Sequence, residues 1–260
     1  MKTEARGQRP FSFAVLADPH CAEDPGWAVE RYGNHVDRFM KCVSAMRALD
    51  GVQRPDFMLV LGDIHFWELK KHVAKIDIPM HLIAGNHESG SERKGELRDC
   101  FPQDFLVDGR PADYYSFVHK GVRFIGICTA GCGMDHVGQL CSQDIQPRGQ
   151  CEWLEGELSQ AEVHKIVFAH IPPHPRGADE HLFMARNDAR YLNGLVERAQ
   201  PTAMFFGHQH QNTSEYRIGR TRTFTVRSCA WNFNDGPLGF MLVQVTARGV
   251  ETQEVLTSDT

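Results

Sequence analysis

Short apolar runs of strand length alternate with segments of helical periodicity along the first third of the chain. Strands are predicted at residues 11–16, 57–61 and 80–84, each stopping just before a segment that contains glycine or aspartate. Between the first two, apolar side chains recur at helical spacing from residue 35 to 49, and Gly51 lies just past the end of this segment. A second helix is predicted between the second and third strands.

The pattern becomes richer in hairpins further along the chain. Strands at 114–118 and 122–128 flank His119-Lys120-Gly121 and are predicted to pair as a hairpin. The remaining predicted elements are helices at 152–158 and 182–199 and strands at 165–169, 203–206, 215–218, 221–226, 240–245 and 250–256. This order predicts an α/β protein (α+β mixed sheets) covered by helices, in one domain over residues 1–260. Stretches 88–111 and 131–150 are rich in glycine, proline and charge and show no clear element, and long loops of this kind are often functional lids or binding loops.

Composition and charge exclude several classes of protein. Hydrophobic residues make up 42% of the 260 residues, enough for a buried core, and the net charge of −5 makes a nucleic acid polymer an improbable partner. No apolar run approaches the ~20 residues that span a bilayer, so no membrane span is expected. Residues 1–10 lack the apolar core of a signal peptide, and a cytoplasmic location is therefore expected.

The eight cysteines are scattered along the chain rather than arranged in a framework. Free thiols are the favoured interpretation, because disulfides are rare in the cytosol. Cys128, Cys132, Cys141 and Cys151 are an alternative thiolate metal site, although their spacing is not the paired C-x-x-C of zinc modules.

Five predicted strands end in residues that bind metals. The five segments are Asp18-Pro19-His20, Gly62-Asp63, Gly85-Asn86-His87-Glu88, His170 and Gly207-His208-Gln209-His210. In α/β sheets, ligands bind outside the carboxyl ends of the strands, so these side chains are predicted to converge. Glycine at three of the ends allows the sharp turn that leaves each strand.

The residue types suit a pair of metal ions. Two cations lie ~3.5–4 Å apart in typical dinuclear sites and need a bridging anion, a role that Asp63 can fill. Histidine nitrogens favour zinc, iron or manganese over calcium or magnesium. Each residue taken alone also has a structural interpretation: Asp18 as a helix cap or turn residue, His170 as a core histidine, and Asn86 as a turn residue. The five segments together favour the metal site.

These segments resemble the calcineurin-like metallophosphoesterase superfamily, whose pattern runs D-x-H, GD, GNH[DE], H, GHxH. The resemblance spans residues 18–210 and implies a four-layer α-β-β-α sandwich. It also implies that two divalent or mixed-valence ions of the Mn/Fe/Zn type share Asp63. By the same resemblance, one ion takes Asp18, His20 and His210 as its further ligands, and the other takes Asn86, His170 and His208.

The resemblance further implies the chemistry. A metal-bound hydroxide attacks phosphorus, while the histidine matching His87 stabilises charge and protonates the leaving oxygen. An acid at this position is chemically sensible because a leaving alkoxide needs a proton. The alternative for His87 is to orient Asn86 without taking part in proton transfer.

The sequence departs from the protein Ser/Thr phosphatase branch of the superfamily. In that branch an aspartate orients the catalytic histidine and an arginine then binds phosphate, but Phe66 and Trp67 stand at those places here. A phosphoprotein substrate is therefore disfavoured, and His65 or Glu68 is left to orient His87.

The function expected from these observations is hydrolysis of a small phosphodiester or phosphomonoester, with the diester slightly favoured. Asn86, His174 and Arg176 are candidate substrate contacts, the last two on the proline-rich loop after His170, where incidental charge is equally expected. Alternatives are a nucleotide pyrophosphatase, a protein phosphatase, or a non-catalytic metal-binding scaffold. The oligomeric state is left open.

Overall fold

A computed structural model describes residues 10–21, 26–130, 136–177, 181–233 and 235–258. Its helices are α1 (Gly26–Tyr32), α2 (His35–Arg47), α3 (Phe66–Leu69), α4 (Ser91–Cys100), α5 (Gln150–Leu158) and α6 (Arg186–Ala199). Its strands are β1 (Phe11–Leu16), β2 (Pro55–Leu61), β3 (Met80–Ile83), β4 (Leu106–Val107), β5 (Arg110–Pro111), β6 (Tyr115–His119), β7 (Val122–Gly126), β8 (His164–Phe168), β9 (Ala203–Phe206), β10 (Ser214–Ile218), β11 (Thr221–Thr225), β12 (Gly239–Thr246) and β13 (Gly249–Leu256). Short 3-10 turns cover Gly51–Gln53, Val73–Lys75 and Asn86–Glu88.

Two mixed sheets form the centre of the fold. The first has the order β13-β12-β1-β2-β3. Strands β1, β2 and β3 run parallel, and β12 runs antiparallel to both of its neighbours, β1 and β13. The second has the order β10-β11-β9-β8-β7-β6, with a parallel core flanked by an antiparallel strand at each edge. The β4–β5 hairpin stands apart from both sheets.

The sheets pack face to face through alternating side chains. Phe13 of β1 meets Phe124 and Phe205 of the second sheet edge-on, with ring centroids 5.1 and 6.0 Å apart. On β8, Ile166 and Phe168 join this shared core, whereas the side chain between them turns to the other face. A strand buried on both faces explains why the sequence shows continuous apolar runs here.

Helices cover the outer faces. α2 packs through its apolar stripe in the main core cluster with the first sheet, and α5 and α6 form a second cluster with the outward side chains of β7, β8 and β9. The predicted α/β fold, with mixed sheets between helices, is confirmed. Among the described residues, no helix is long and apolar enough to cross a membrane.

Two predictions of secondary structure were wrong. The helix expected at 182–199 begins only at Arg186, because Leu182 has a positive φ of 66° and Met184 forms a parallel β-bridge with Gly138. Ala185, with ψ 141°, is also extended, so the segment before Arg186 cannot form a helical turn. The loop expected at 88–111 contains α4, a largely polar helix, and the β4–β5 hairpin.

The cysteines give no thiolate metal cluster in the part of the chain that the structure describes. None of the seven described cysteines is in a disulfide, and the thiols of Cys141 and Cys151 hydrogen-bond to each other. No group of three ligand side chains forms around these two or Cys128 within the described ranges, and Cys132 lies outside them.

Candidate metal centre

The carboxyl ends of five strands from both sheets bring the predicted metal-binding side chains together. Asp18 and His20 follow β1, Asp63 follows β2, Asn86 follows β3, His170 follows β8, and His208 and His210 follow β9. Each of these seven residues is at most 4% exposed. The site therefore lies where the edges of the two sheets meet, and its ligand side chains are almost entirely buried.

The backbone at these ends is held in an unusual conformation. Asp18, His20, Asp63, His65, His208 and His210 all have positive φ angles, between 40° and 71°. Residues with side chains rarely adopt this region, and such strain persists only where the surrounding structure enforces it. The buried Glu88 carboxylate supplies part of that enforcement, because it accepts hydrogen bonds from the amides of Gly85, Ile64 and His65 at 3.0, 2.9 and 2.9 Å.

Glycines allow the strand ends to approach one another. A Cβ atom at Gly62 would lie 2.7 Å from Gly85 Cα and 2.7 Å from His170 Nδ1, and Gly62 itself has φ +84°. At Gly207 a Cβ would lie 2.8 Å from Asp18 Oδ2. Glycine is thus needed at these strand ends because neighbouring segments approach closely, as well as because the chain turns there.

The first ligand group consists of Asp18, His20, Asp63 and His210, whose ligand atoms all lie within 4.8 Å of one another. His20 Nε2 is 3.1 Å from His210 Nε2 and 3.7 Å from Asp63 Oδ2. His210 Nε2 is 3.7 Å from Asp18 Oδ1.

The second ligand group consists of Asp63, His170 and His208, again within 4.8 Å. His170 Nε2 lies 3.3 Å from Asp63 Oδ2, 3.1 Å from His208 Nδ1 and 2.9 Å from Asn86 Oδ1. The Asn86 side chain therefore joins this group. Asp63 belongs to both groups, which is the arrangement that a dinuclear centre requires.

Backbone carbonyls fix which nitrogen of each imidazole faces the groups. His170 Nδ1 donates to Leu61 O at 2.6 Å, His210 Nδ1 to Trp231 O at 2.7 Å and His208 Nε2 to His136 O at 3.1 Å. When these imidazoles are neutral, as metal ligands must be, the opposite nitrogens turn their lone pairs inward, and those of His170 Nε2 and His208 Nδ1 then face each other at 3.1 Å. A cation between them resolves this repulsion, and the cluster is suitable for a dinuclear metal centre.

The electrostatics of the cluster fit the same conclusion. Burial lowers the pKa of His20, of His208 and of His210, the last to about 4, which keeps these imidazoles neutral as metal ligands must be. Burial also raises the pKa of Asp18 to about 8, against the opposing charge of His170. Burial alone would lower the pKa of His170, but the Asp63 carboxylate overrides it and raises that pKa to about 9. The Asp63 carboxylate thus attracts positive charge into the cluster.

Comparison with known proteins agrees with this geometry. The sequence model of the calcineurin-like phosphoesterase family matches residues 11–212. The chain belongs to this family. Its members are metal-dependent phosphoester hydrolases, so the enzyme class expected from the sequence motifs is confirmed.

Curated relatives of the chain are named as a phosphatase or as a phosphodiesterase. The chain is 26% identical over 231 residues to the serine/threonine-protein phosphatase CPPED1 of Rattus norvegicus, covering 78% of this chain and 70% of the relative. It is 26% identical over 172 residues to the probable glycerophosphodiester phosphodiesterase GpdQ of Arcobacter nitrofigilis, covering 61% of this chain and 58% of the relative.

Solved structures share the fold. A dimetal phosphatase from Danio rerio superposes with a TM-score of 0.63 at 15% identity, covering 95% of this chain and 99% of the other. GAP50, described as the anchor in the inner membrane complex of Plasmodium, gives 0.62 at 15% identity, covering 96% of this chain and 85% of the other. At such identities the likeness concerns the fold alone.

His87 stands beside the shared carboxylate. Its Nε2 is 3.9 Å from Asp63 Oδ2, its amide donates to Asp63 Oδ1 at 3.0 Å, and its side chain is 18% exposed. The ring of His65 lies 5.1 Å from that of His87, whereas Glu68 pairs with Lys71 at 2.6 Å on the surface. Of the two residues left to orient His87, the structure therefore places His65 against it.

The other candidate substrate residues have contacts of their own. His174 Nδ1 accepts a hydrogen bond from the amide of Arg176 at 3.1 Å, and its ring lies 5.0 Å from that of Phe183. Arg176 is exposed. Neither residue belongs to a ligand group, and their contact with substrate stays a prediction.

One part of the site has no signal in the sequence. The ring of Trp231 stacks on that of His210 with centroids 3.7 Å apart and lies 5.7 Å from that of His20. Trp231 follows β11 in an irregular loop, 21 residues after His210. Only the tertiary path of this loop brings the indole to the site.

Proposed function

We propose that the chain hydrolyses a small phosphodiester or phosphomonoester with two metal ions of the Mn/Fe/Zn type. The observation that supports this most strongly is the Asp63 carboxylate shared by two groups of ligand atoms. Asp18, His20 and His210 would hold one ion with Asp63, and Asn86, His170 and His208 would hold the other. When bound, such ions lower the pKa of water and offset the charge that develops on the phosphoryl group.

His87 is the proposed general acid. A leaving alkoxide needs a proton, and His87 combines partial exposure with a position next to Asp63. The hydrogen bond from its amide to Asp63 Oδ1 fixes it relative to the site, and the neighbouring His65 ring restricts how its imidazole turns. In this arrangement His87 delivers a proton to the ester oxygen at the moment that the bond to phosphorus breaks.

Asn86 is proposed to contact the substrate as well as a metal. Its Oδ1 faces His170 Nε2 at 2.9 Å, while within the described residues its buried Nδ2 has no hydrogen-bond partner. A buried amide nitrogen is costly to leave unpaired. A phosphoryl oxygen is the acceptor that would satisfy it.

Substrate choice separates the remaining alternatives. The names of the relatives favour a protein phosphatase in one case and a phosphodiesterase in another, while Phe66 and Trp67 at the positions of the aspartate and arginine favour a small substrate. Turnover of bis-p-nitrophenyl phosphate, p-nitrophenyl phosphate, a dinucleotide and a phosphoserine peptide should be compared in the protein loaded with manganese, iron or zinc. The proposal expects the diester to be hydrolysed at least as well as the monoester, and both better than the peptide.

A non-catalytic scaffold is the competing function of another class. It predicts a protein that binds two ions and turns over none of these esters with manganese, iron, zinc, cobalt or nickel. The cytoplasmic location stays a prediction, which cell fractionation would test.

A further inference from the structure

A cluster of three aromatic side chains extends from the first ligand group to solvent. Trp231 stacks on the imidazole of His210, with ring planes 19° apart. Phe233 and Trp27 meet the Trp231 indole almost perpendicularly, at centroid distances of 4.9 and 5.9 Å. Trp27, Trp231 and Phe233 are called the aromatic wall below.

The outer part of this wall is exposed. Phe233 is 61% exposed and Trp27 is 39% exposed, and no other phenylalanine or tryptophan among the described residues is open to solvent to this degree. Leaving large apolar rings in water forgoes the free energy that burial would supply. A role in packing the core therefore does not explain these two rings. Phe233 lies 5.8 Å from the ligand residue His210, and Trp27 is joined to the metal centre through Trp231.

The wall is held in place before anything binds to it. The Phe233 amide donates to His210 O at 2.8 Å, which ties the backbone that carries this ring to a ligand residue. From α1, Tyr32 Oη donates to Gly236 O at 3.1 Å and Arg31 Nη2 to Asp235 O at 2.8 Å. These bonds join the helix that carries Trp27 to the loop that carries Phe233. Binding to such a preorganised surface loses little conformational entropy.

We propose that the aromatic wall binds a planar aromatic ring in the alcohol portion of the substrate, which makes aryl or nucleoside phosphoesters the preferred class. This rests on the proposed function, because it assumes that the phosphoryl group binds at the metal centre. The ring of Phe233 lies 5.8 Å from that of His210, so an alcohol portion that extends from the ligand groups past His210 would contact the wall. Offset or edge-to-face stacking between aromatic rings then adds to the binding of such esters.

The test compares aryl, nucleoside and alkyl esters in the metal-loaded protein. Phe233→Ala and Trp27→Ala should each lower the ratio of kcat/KM for p-nitrophenyl phosphate to that for glycerol phosphate by about 2- to 13-fold, the range expected for losing one aromatic contact. The ratio of kcat/KM for adenosine monophosphate to that for glycerol phosphate, measured in the same variants, shows whether the wall favours a nucleobase or a simple aryl ring. Val163→Ala is the control, because Val163 is 87% exposed and lies just before β8, at the opposite end of that strand from His170.

A binding measurement decides the proposal without turnover. By calorimetry, phenylphosphonate should bind the metal-loaded protein more tightly than methylphosphonate, and Phe233→Ala and Trp27→Ala should remove this preference. If no ester is hydrolysed but phenylphosphonate still binds more tightly and this preference is lost in the wall variants, the proposed function is wrong and the wall proposal is supported. If esters are hydrolysed while neither variant changes the aryl-to-alkyl ratio or the phosphonate preference, the wall proposal fails alone. If Phe233→Ala and Trp27→Ala change only the oligomeric state of the protein in solution, the wall is an interface between copies of the chain, and the proposal is overturned.

Discussion

Replacing Gly62 by alanine tests how closely the strand ends must approach. The new Cβ would lie 2.7 Å from both Gly85 Cα and His170 Nδ1, whereas ordinary contact begins at 3.4 Å, so neighbouring atoms must move by about 0.7 Å. Such overpacking costs about 1–3 kcal/mol. The left-handed conformation of Gly62, at φ +84°, adds about 1–2 kcal/mol for any residue with a Cβ. The expected loss in the free energy of unfolding is therefore about 2–5 kcal/mol.

Gly33 offers a matched control for the backbone contribution. It has the same φ of +84°, and a Cβ there would meet nothing within 4 Å. Gly33→Ala should lose only the conformational part, about 1–2 kcal/mol, in urea denaturation of the metal-free proteins. Because the added Cβ pushes on His170, Gly62→Ala should also weaken manganese binding in calorimetry by about 10- to 100-fold, while Gly33→Ala leaves it unchanged. Equal stabilities of the two variants together with unchanged metal binding by Gly62→Ala would refute the reasoning.

Two further substitutions address the proton donor and the carboxylate that holds the strand ends. His87→Ala should keep two metals per chain but lower kcat for alkyl esters by about 10²–10⁴-fold. The loss should be smaller for p-nitrophenyl esters, because their leaving group needs no proton. An equal loss for both ester types would argue against the role of a general acid. Glu88→Gln should destabilise the protein by about 1–3 kcal/mol in chemical denaturation, because an amide NH₂ would replace an oxygen that accepts from backbone amides. The exposed Glu30→Gln serves as its control, and equal stabilities of the two would contradict the role assigned to Glu88.

The sequence predicted the parts of the site that are encoded locally. Each of the five segments combines an apolar run with a metal-binding residue at its end, and the topology of an α/β sheet brings such ends together. The resemblance of these segments to the family identified Asp63 as the residue that both ions would share. In the structure it is indeed common to both ligand groups.

What the sequence did not predict depends on contacts between distant segments. The periodicity of residues 182–185 looks helical, but Met184 instead forms a β-bridge with the distant Gly138 and donates its amide to Pro172 O. The choice between His65 and Glu68 needed the position of each side chain, since both follow Asp63 within one short segment. Trp231 reaches His210 through the path of a loop that distant residues help to hold, since Tyr32 and Arg31 of α1 donate to Gly236 O and Asp235 O.

Metal content measured together with a substitution at the shared carboxylate tests the central claim most directly. Wild-type protein reconstituted with manganese and freed of excess ions should contain two ions per chain by elemental analysis. Asp63→Asn should lose both ions and essentially all phosphoesterase activity, because it removes the charge that both ligand groups share. A variant that keeps two ions at full occupancy, or a wild-type protein that binds only one, would contradict a dinuclear centre built on Asp63.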